Sequence, residues 1–196
     1  MMNEAEGHQQ VLDGVELICF DLFGTLVEIT DRRRPFASLS RNMALDKVDR
    51  MRRLAMTTDQ ALEEVDEAIR GGATVDKIVA AKADIAREVA STRLRTGVPE
   101  MLSALPVPYG ICSNLSPDYL PTLQRFAEVR PAFRIMSCET GYLKPDPEIY
   151  ELVVAAAGVP RHKILFVGDT PAADIEGPRV AGMQAIHIDQ FLSAWR

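Results

Sequence analysis

Apolar residues along this chain fall into two rhythms. Short runs bounded by Pro, Gly, Asp, Ser or Asn recur at Glu16–Phe20, Tyr109–Ser113, Phe133–Ser137, Lys163–Val167 and Gln184–Ile188. Runs of this kind, apolar without alternation, predict strands buried on both faces and therefore a parallel sheet. Between them, Asp118–Glu128, Pro147–Ala157 and Ala172–Ala181 predict crossover helices, with Gly158 at an expected helix end and Pro160 just beyond it. Strand and helix in alternation make consecutive βα units, so the expected class is α/β.

The second rhythm fills the stretch from Thr30 to Thr96, where no strand pattern occurs. Ala61, Leu62, Val65, Ala68 and Ile69 recur at helical spacing, as do Val75, Ile78, Val79, Ile85, Ala86 and Val89, with Gly71-Gly72 dividing the two sets. A helical insert of about 65 residues thus interrupts the βα core after its first strand, too long for an ordinary loop. It is placed to cover the sheet edge as a cap. The expected organisation is a core of residues 15–30 and 97–196, a helical cap of 31–96 and an N-terminal tail of 1–14.

Composition narrows the class. With 196 residues, 47% of them hydrophobic, the chain buries one substantial core and a smaller insert. A formal charge of −6 and a pI near 5.1 argue against nucleic acid as a partner, because phosphate-backbone affinity needs surplus Lys and Arg. The polar, acidic start Met1-Met2-Asn3-Glu4-Ala5-Glu6 lacks the features of a secretory signal, and no apolar run reaches the ~18 residues of a membrane span. Cys19, Cys112 and Cys138 are widely spaced and sit in or beside apolar runs, which suits buried thiols in a reducing, cytoplasmic setting. His8, His162 and His187 show no metal-ligand spacing. The basic stretch Arg32, Arg33, Arg34, Arg41, Lys47, Arg50, Arg52, Arg53 reads as paired, solvated helix faces, with an anion-collecting surface as the alternative. Oligomeric state leaves no mark in the sequence.

Four polar clusters fall at the carboxyl ends of predicted strands, where open α/β sheets bind ligands. They are Asp21 with Thr25, Ser113-Asn114, Lys144-Pro145, and Gly168-Asp169 with Asp174. Singly, each has a structural reading as a helix N-cap, a turn or a helix opener. In this order, each closing its own strand, they point to one site.

Through Asp21-Leu22-Phe23-Gly24-Thr25-Leu26, Ser113-Asn114, Gly141-Tyr142-Leu143-Lys144-Pro145-Asp146-Pro147-Glu148-Ile149-Tyr150 and Phe166-Val167-Gly168-Asp169-Thr170-Pro171-Ala172-Ala173-Asp174, the sequence resembles the haloacid dehalogenase superfamily from Glu16 to Ile188. The resemblance implies a Rossmann-like three-layer parallel sheet with a helical cap inserted after the first strand. It also implies a hydrolase in which Asp21 attacks an electrophilic phosphorus or carbon, and water later hydrolyses the aspartyl intermediate. Lys144 would hold that carboxylate and a bound anion in place. Thr25, Ser113 and the adjoining Asn114 would serve the same centre, the hydroxyls orienting non-attacking oxygens. Asp169, Asp21 and the main-chain carbonyl of Phe23 would form an oxygen-rich Mg²⁺ site, with Asp174 a further ligand or a support. The implied partner is a small anionic substrate, phosphorylated or otherwise activated.

One residue departs from the pattern of phosphatases in this family. Two positions after the nucleophile they carry a second Asp as general acid and base, and here Phe23 stands there. Loss of a general acid typically costs ~10²–10⁴-fold in rate, least for good leaving groups. Haloacid dehalogenases do place an aromatic residue here, since halide leaves without a proton. Those relatives lack the Gly168-Asp169 pair, because displacement at carbon needs no metal, whereas a phosphate dianion meeting a carboxylate needs its charge screened. Metal-assisted phosphate hydrolysis is therefore the leading expectation. Metal-independent 2-haloacid dehalogenation is the second, and a catalytically weak binding protein the third. For the dehalogenase, Arg34 or Arg41 would hold the substrate carboxylate and Tyr150 fits a dehalogenase position, as it equally fits a packed helix residue. A Schiff-base variant would draw on Lys47, Lys77 or Lys82.

Overall fold

The structure, a computed structural model, describes residues 11–195. Most of the expected 1–14 tail, with His8, lies outside these. Strands β1 (Leu17–Phe20), β4 (Tyr109–Ser113), β5 (Arg134–Met136), β6 (Ile164–Gly168) and β7 (Gln184–His187) form a sheet ordered β5-β4-β1-β6-β7. Every pairing is parallel, with Ile18 opposite Tyr109 on one side and Leu165 on the other. All residues of β1, β4 and β6 are buried, which is why their sequences run apolar without alternation.

The two-residue period of a strand divides these side chains between two cores. Ile18, Phe20, Ile111 and Val167 face one, where Phe20 meets the rings of Tyr109 and Phe191 edge-on at 5.8 and 5.6 Å. Leu17, Cys19, Cys112 and Phe166 face the other, against Ile149, Tyr150 and Val153 of the helix Pro147–Ala157. This is the three-layer α/β architecture expected. That helix opens on Pro147 in its first turn and closes on left-handed Gly158, as predicted.

Four helices lie between β2 (Val27–Ile29) and β3 (Thr92–Leu94): α1 (Pro35–Ser40), α2 (Leu45–Thr57), α3 (Leu62–Ala68) and α4 (Val75–Ala90). β2 and β3 pair antiparallel, Val27 opposite Leu94, and β3 corrects the expectation of no strand between Thr30 and Thr96. Three residues are too few to display a period. The apolar stripe of α4 also needs correction. Its buried positions are Ile78, Ala81, Ile85 and Glu88, while Val75 and Val79 are 79% and 61% exposed. On the preceding segment Leu62, Val65 and Ile69 are buried, but Ala61 and Ala68 face solvent.

Two expected crossover helices take other forms. Pro117–Arg125 winds as 3₁₀ turns, because Pro121 in its middle has no N–H to donate. The stretch expected as Ala172–Ala181 is a wide π-type turn over Pro171–Glu176 followed by a short α-helix, Gly177–Val180, with Pro178 again removing a donor. No described helix is long and apolar enough to cross a membrane.

The three cysteines are free and buried. Burial pushes the Cys112 thiol up to about 12 and that of Cys138 up to about 11, and raises Cys19 as well. A thiol near 12 is only about 10⁻⁴ thiolate at pH 8, and thiolate is the reactive form. Iodoacetamide at pH 8 is therefore expected to leave the native protein unlabelled and to modify all three cysteines in denaturant. Mass spectrometry checks this, and fast native labelling of any one of them would contradict it.

Candidate active site

Asp21 stands one residue beyond β1 and extends its ladder, donating its backbone N–H to the Val167 carbonyl at 2.9 Å. That places its carboxylate between the ends of β4 and β6. The Ser113 hydroxyl donates to Asp21 Oδ1 at 3.0 Å, and Thr25 Oγ1 donates to Oδ2 at 3.3 Å. Asp21 is only 6% exposed.

Lys144 reaches the same carboxylate from the loop before the Pro147 helix and is 3% exposed. Its ammonium donates to Asp21 Oδ1 at 2.9 Å, Asp174 Oδ1 at 2.7 Å and the Cys112 carbonyl at 2.8 Å, which uses all three hydrogens. It also lies 5.0 Å from the centre of the Phe166 ring. Asn114 does not touch Asp21. Its side chain makes two 2.7 Å bonds with the Lys144 backbone, donating to the carbonyl and accepting from the N–H, and so fixes the loop that carries the ammonium.

Asp174 Oδ2 accepts the backbone N–H groups of Asp169 at 3.2 Å and Thr170 at 2.9 Å, and Asp169 Oδ1 accepts from the Thr170 hydroxyl at 3.1 Å. Two glycines make room for these carboxylates. A Cβ on Gly24, at φ +88°, would lie 2.1 Å from Asp169 Oδ2, and one on Gly168 would lie 2.4 Å from the Asp174 side chain.

Carboxylate oxygens of Asp21, Asp169 and Asp174 lie within 4.8 Å of one another. Three carboxylates thus gather at one ammonium, leaving two formal negative charges uncompensated. Burial pushes the Asp21 carboxyl above the ordinary carboxylate range, against the pull of Lys144 and with reinforcement from Asp174. Burial alone would lower the Lys144 ammonium, but Asp21 and Asp174 outweigh it and hold its pKa above the usual lysine range. These hard oxygen donors and their charge excess fit a divalent cation such as Mg²⁺.

A cavity of about 310 Å³ opens on Asp21, Ser113, Asn114, Lys144 and Asp174. Phe23 lines it too, its ring edge-on to Tyr119 at 5.6 Å. So do Arg52 and Met56, four apart and hence on one face of α2. Sequence reasoning missed Met56 and met Arg52 only as one of the basic stretch, whose anion-collecting reading was the alternative. A basic residue four before a methionine was visible in a helical stretch, but the rotation of that helix was not. Arg34 and Arg41 do not line the cavity, and neither do Lys47, Lys77 or Lys82. Lys47 donates to the Arg70 carbonyl, and Lys82 pairs with Glu63. Arg53, next to Arg52, turns instead to Asp146 with contacts of 2.7 and 3.3 Å, tying α2 to the loop of Lys144. Tyr150 is a packed helix residue whose hydroxyl donates to the Ala173 carbonyl at 2.6 Å.

A phosphoserine phosphatase from Thermus thermophilus is 33% identical over 89 residues, a match spanning 42% of this chain and only 36% of that enzyme. A HAD family enzyme from Bacteroides thetaiotaomicron superposes with a TM-score of 0.65 at 18% identity, covering 89% of this chain and 94% of that one. Its complex with magnesium and inorganic phosphate gives 0.61 at 16% identity, covering 88% and 93%. A 2-haloacid dehalogenase from Pseudomonas syringae pv. Tomato gives 0.59 at 21% identity, covering 88% and 86%. At such identities the structural likenesses speak for the fold alone. The model of the haloacid dehalogenase-like hydrolases, however, matches residues 15–182 continuously, and this chain, with Asp21, Lys144 and Asp169 brought to the end of one parallel sheet, belongs to that family of hydrolases.

Proposed function

We propose that this hydrolase uses Asp21 as a nucleophile on small phosphorylated substrates and depends on Mg²⁺. The observation that carries the reading is the charge of the site: three carboxylates within 4.8 Å and one ammonium, an excess costly to keep partly buried without a cation. A site for displacement at carbon has no use for the carboxylate of Asp169. The Bacteroides relative whose complex holds magnesium and inorganic phosphate supports the same direction.

In this reading Asp21, Asp169 and the Phe23 carbonyl would hold the ion. Asp174 supports them, since its two oxygens already accept from Lys144 and from two backbone N–H groups. Bound there, the ion would screen the phosphate charge from the attacking carboxylate. Asp21 forms a bond to phosphorus as the ester oxygen departs, and water then hydrolyses the aspartyl phosphate. Lys144 and Ser113 hold Asp21 Oδ1, so the carboxylate enters the reaction already oriented. Phe23 offers no proton to the leaving oxygen. The Tyr119 hydroxyl does not replace it, being bonded to Glu88 and absent from the cavity lining. Substrates whose leaving group needs little protonation are therefore favoured. The helices of residues 31–96 act as the cap over a core of 15–30 and 97–196, with Arg52 and Met56 facing the substrate.

Hydrolysis of p-nitrophenyl phosphate is expected to rise with added Mg²⁺ and to vanish in EDTA. Activity unchanged by EDTA would refute the reading. The Phe23 ring favours a second one, and release of chloride from 2-chloropropionate without magnesium would establish it.

A further inference from the structure

Glu88 is a charged residue on the buried side of α4, 4% exposed and far along the chain from the residues of the site. Its carboxylate has three donors. Oε1 accepts the backbone N–H groups of Arg33 at 2.6 Å and Arg34 at 2.8 Å, and Oε2 accepts the Tyr119 hydroxyl at 2.5 Å. Arg34 holds a left-handed backbone, φ 56°, which a side-chain-bearing residue keeps only where its surroundings fix it. Beside this cluster Thr30 Oγ1 donates to the Ser91 carbonyl at 2.8 Å, and the Asp31 N–H donates to Ser91 Oγ at 3.1 Å.

The chain that leaves β2 and the chain that returns to β3 are thus bonded to each other rather than joined to the sheet as two separate linkers. Within the Glu88 cluster only Tyr119 comes from outside residues 31–96. The ring of Tyr119 lies edge-on to Phe23, which lines the cavity on Asp21. Burial and then the hydrogen bond to Glu88 push the Tyr119 phenol above its ordinary range, so it remains a donor.

We propose that Glu88 and Tyr119 are positioning residues: their hydrogen bond fixes the Tyr119 ring and, through it, how the Phe23 ring stands in the cavity, and so how well a substrate's leaving group is gripped. This rests on the cavity being the substrate site. Removing the hydroxyl unties the Tyr119 ring from Glu88. The Phe23 ring packed on it then loses its fixed place, while the groups on the sheet ends keep theirs.

The test is Tyr119→Phe, with Glu88→Gln as a second variant of preserved shape. With p-nitrophenyl phosphate, KM is expected to rise about 10-fold. Inhibition by inorganic phosphate, which carries no leaving group, stays within about twofold of wild type. KM unchanged, or KM and phosphate inhibition weakened together, overturns the proposal. Asp21→Asn runs alongside: if it retains activity, the nucleophile assignment has failed rather than the positioning one. A ¹⁹F label at position 23, as 4-fluorophenylalanine, then decides the positioning claim without turnover. Its resonance is expected to shift on Tyr119→Phe, and an unmoved resonance overturns the claim.

Discussion

Asp21→Asn is expected to lower kcat/KM for p-nitrophenyl phosphate by at least about 10⁴-fold, the scale on which loss of a nucleophile registers. The amide keeps the volume of the carboxylate, and its single oxygen can still accept from Ser113, while its NH2 cannot accept from Thr25. What it lacks is the charge that attacks phosphorus in the proposed mechanism. Because the shape is kept, circular dichroism should report the same fold, and steady-state kinetics then isolates the chemistry. A variant within tenfold of wild type would remove Asp21 from the mechanism.

The second large effect falls on stability. Lys144→Met is expected to cost about 3–5 kcal/mol of unfolding free energy, the range seen when one partner of a buried ion pair is removed. Methionine approximates the stem of lysine and can still pack against Phe166, so the loss reports charge and hydrogen bonding rather than volume. Asp21 and Asp174 would then face each other without a cation, and the Cys112 carbonyl would lose its donor. Adding Asp174→Asn should recover part of the loss, because it removes one of the two stranded charges. Urea unfolding of the four proteins in the cycle measures both terms. A single-variant cost below about 1 kcal/mol would mean that the lysine is not what offsets these carboxylates.

The site was legible in the sequence because its residues sit where strands end, and buried strands announce themselves as unbroken apolar runs. Asp21, Ser113 and Asp169 needed only a sheet order to meet, whereas Lys144 comes from the loop between the short helix Ser137–Thr140 and Pro147, and Asp174 from the turn after β6. Asn114 was recognised, yet its bonds to the Lys144 backbone depend on loop conformation that no spacing encodes. Residues on the helices between β2 and β3 were harder. Whether Arg52 or Arg53 faces the cavity turns on the rotation of α2, and the two neighbours take opposite tasks. A glutamate on a charged helix reads as solvent-exposed, so nothing marked Glu88 as buried. Hydrophobicity alone likewise placed Val75 and Val79 inward. Position 121 could have been read, since a proline amid Pro117–Arg125 forbids a regular helix there.

The ribbon of β2 and β3 brings Ile29 opposite Thr92, so the polypeptide departs and comes back at a single point. Whatever lies between can lengthen, shorten or change sequence without disturbing the register of the five parallel strands. On the proposed reading, new substrates can be met by changing this excursion while the groups at the sheet ends stay as they are. Its freedom is bounded where it is bonded back to the core, at Glu88 with the Tyr119 hydroxyl and at Arg53 with Asp146.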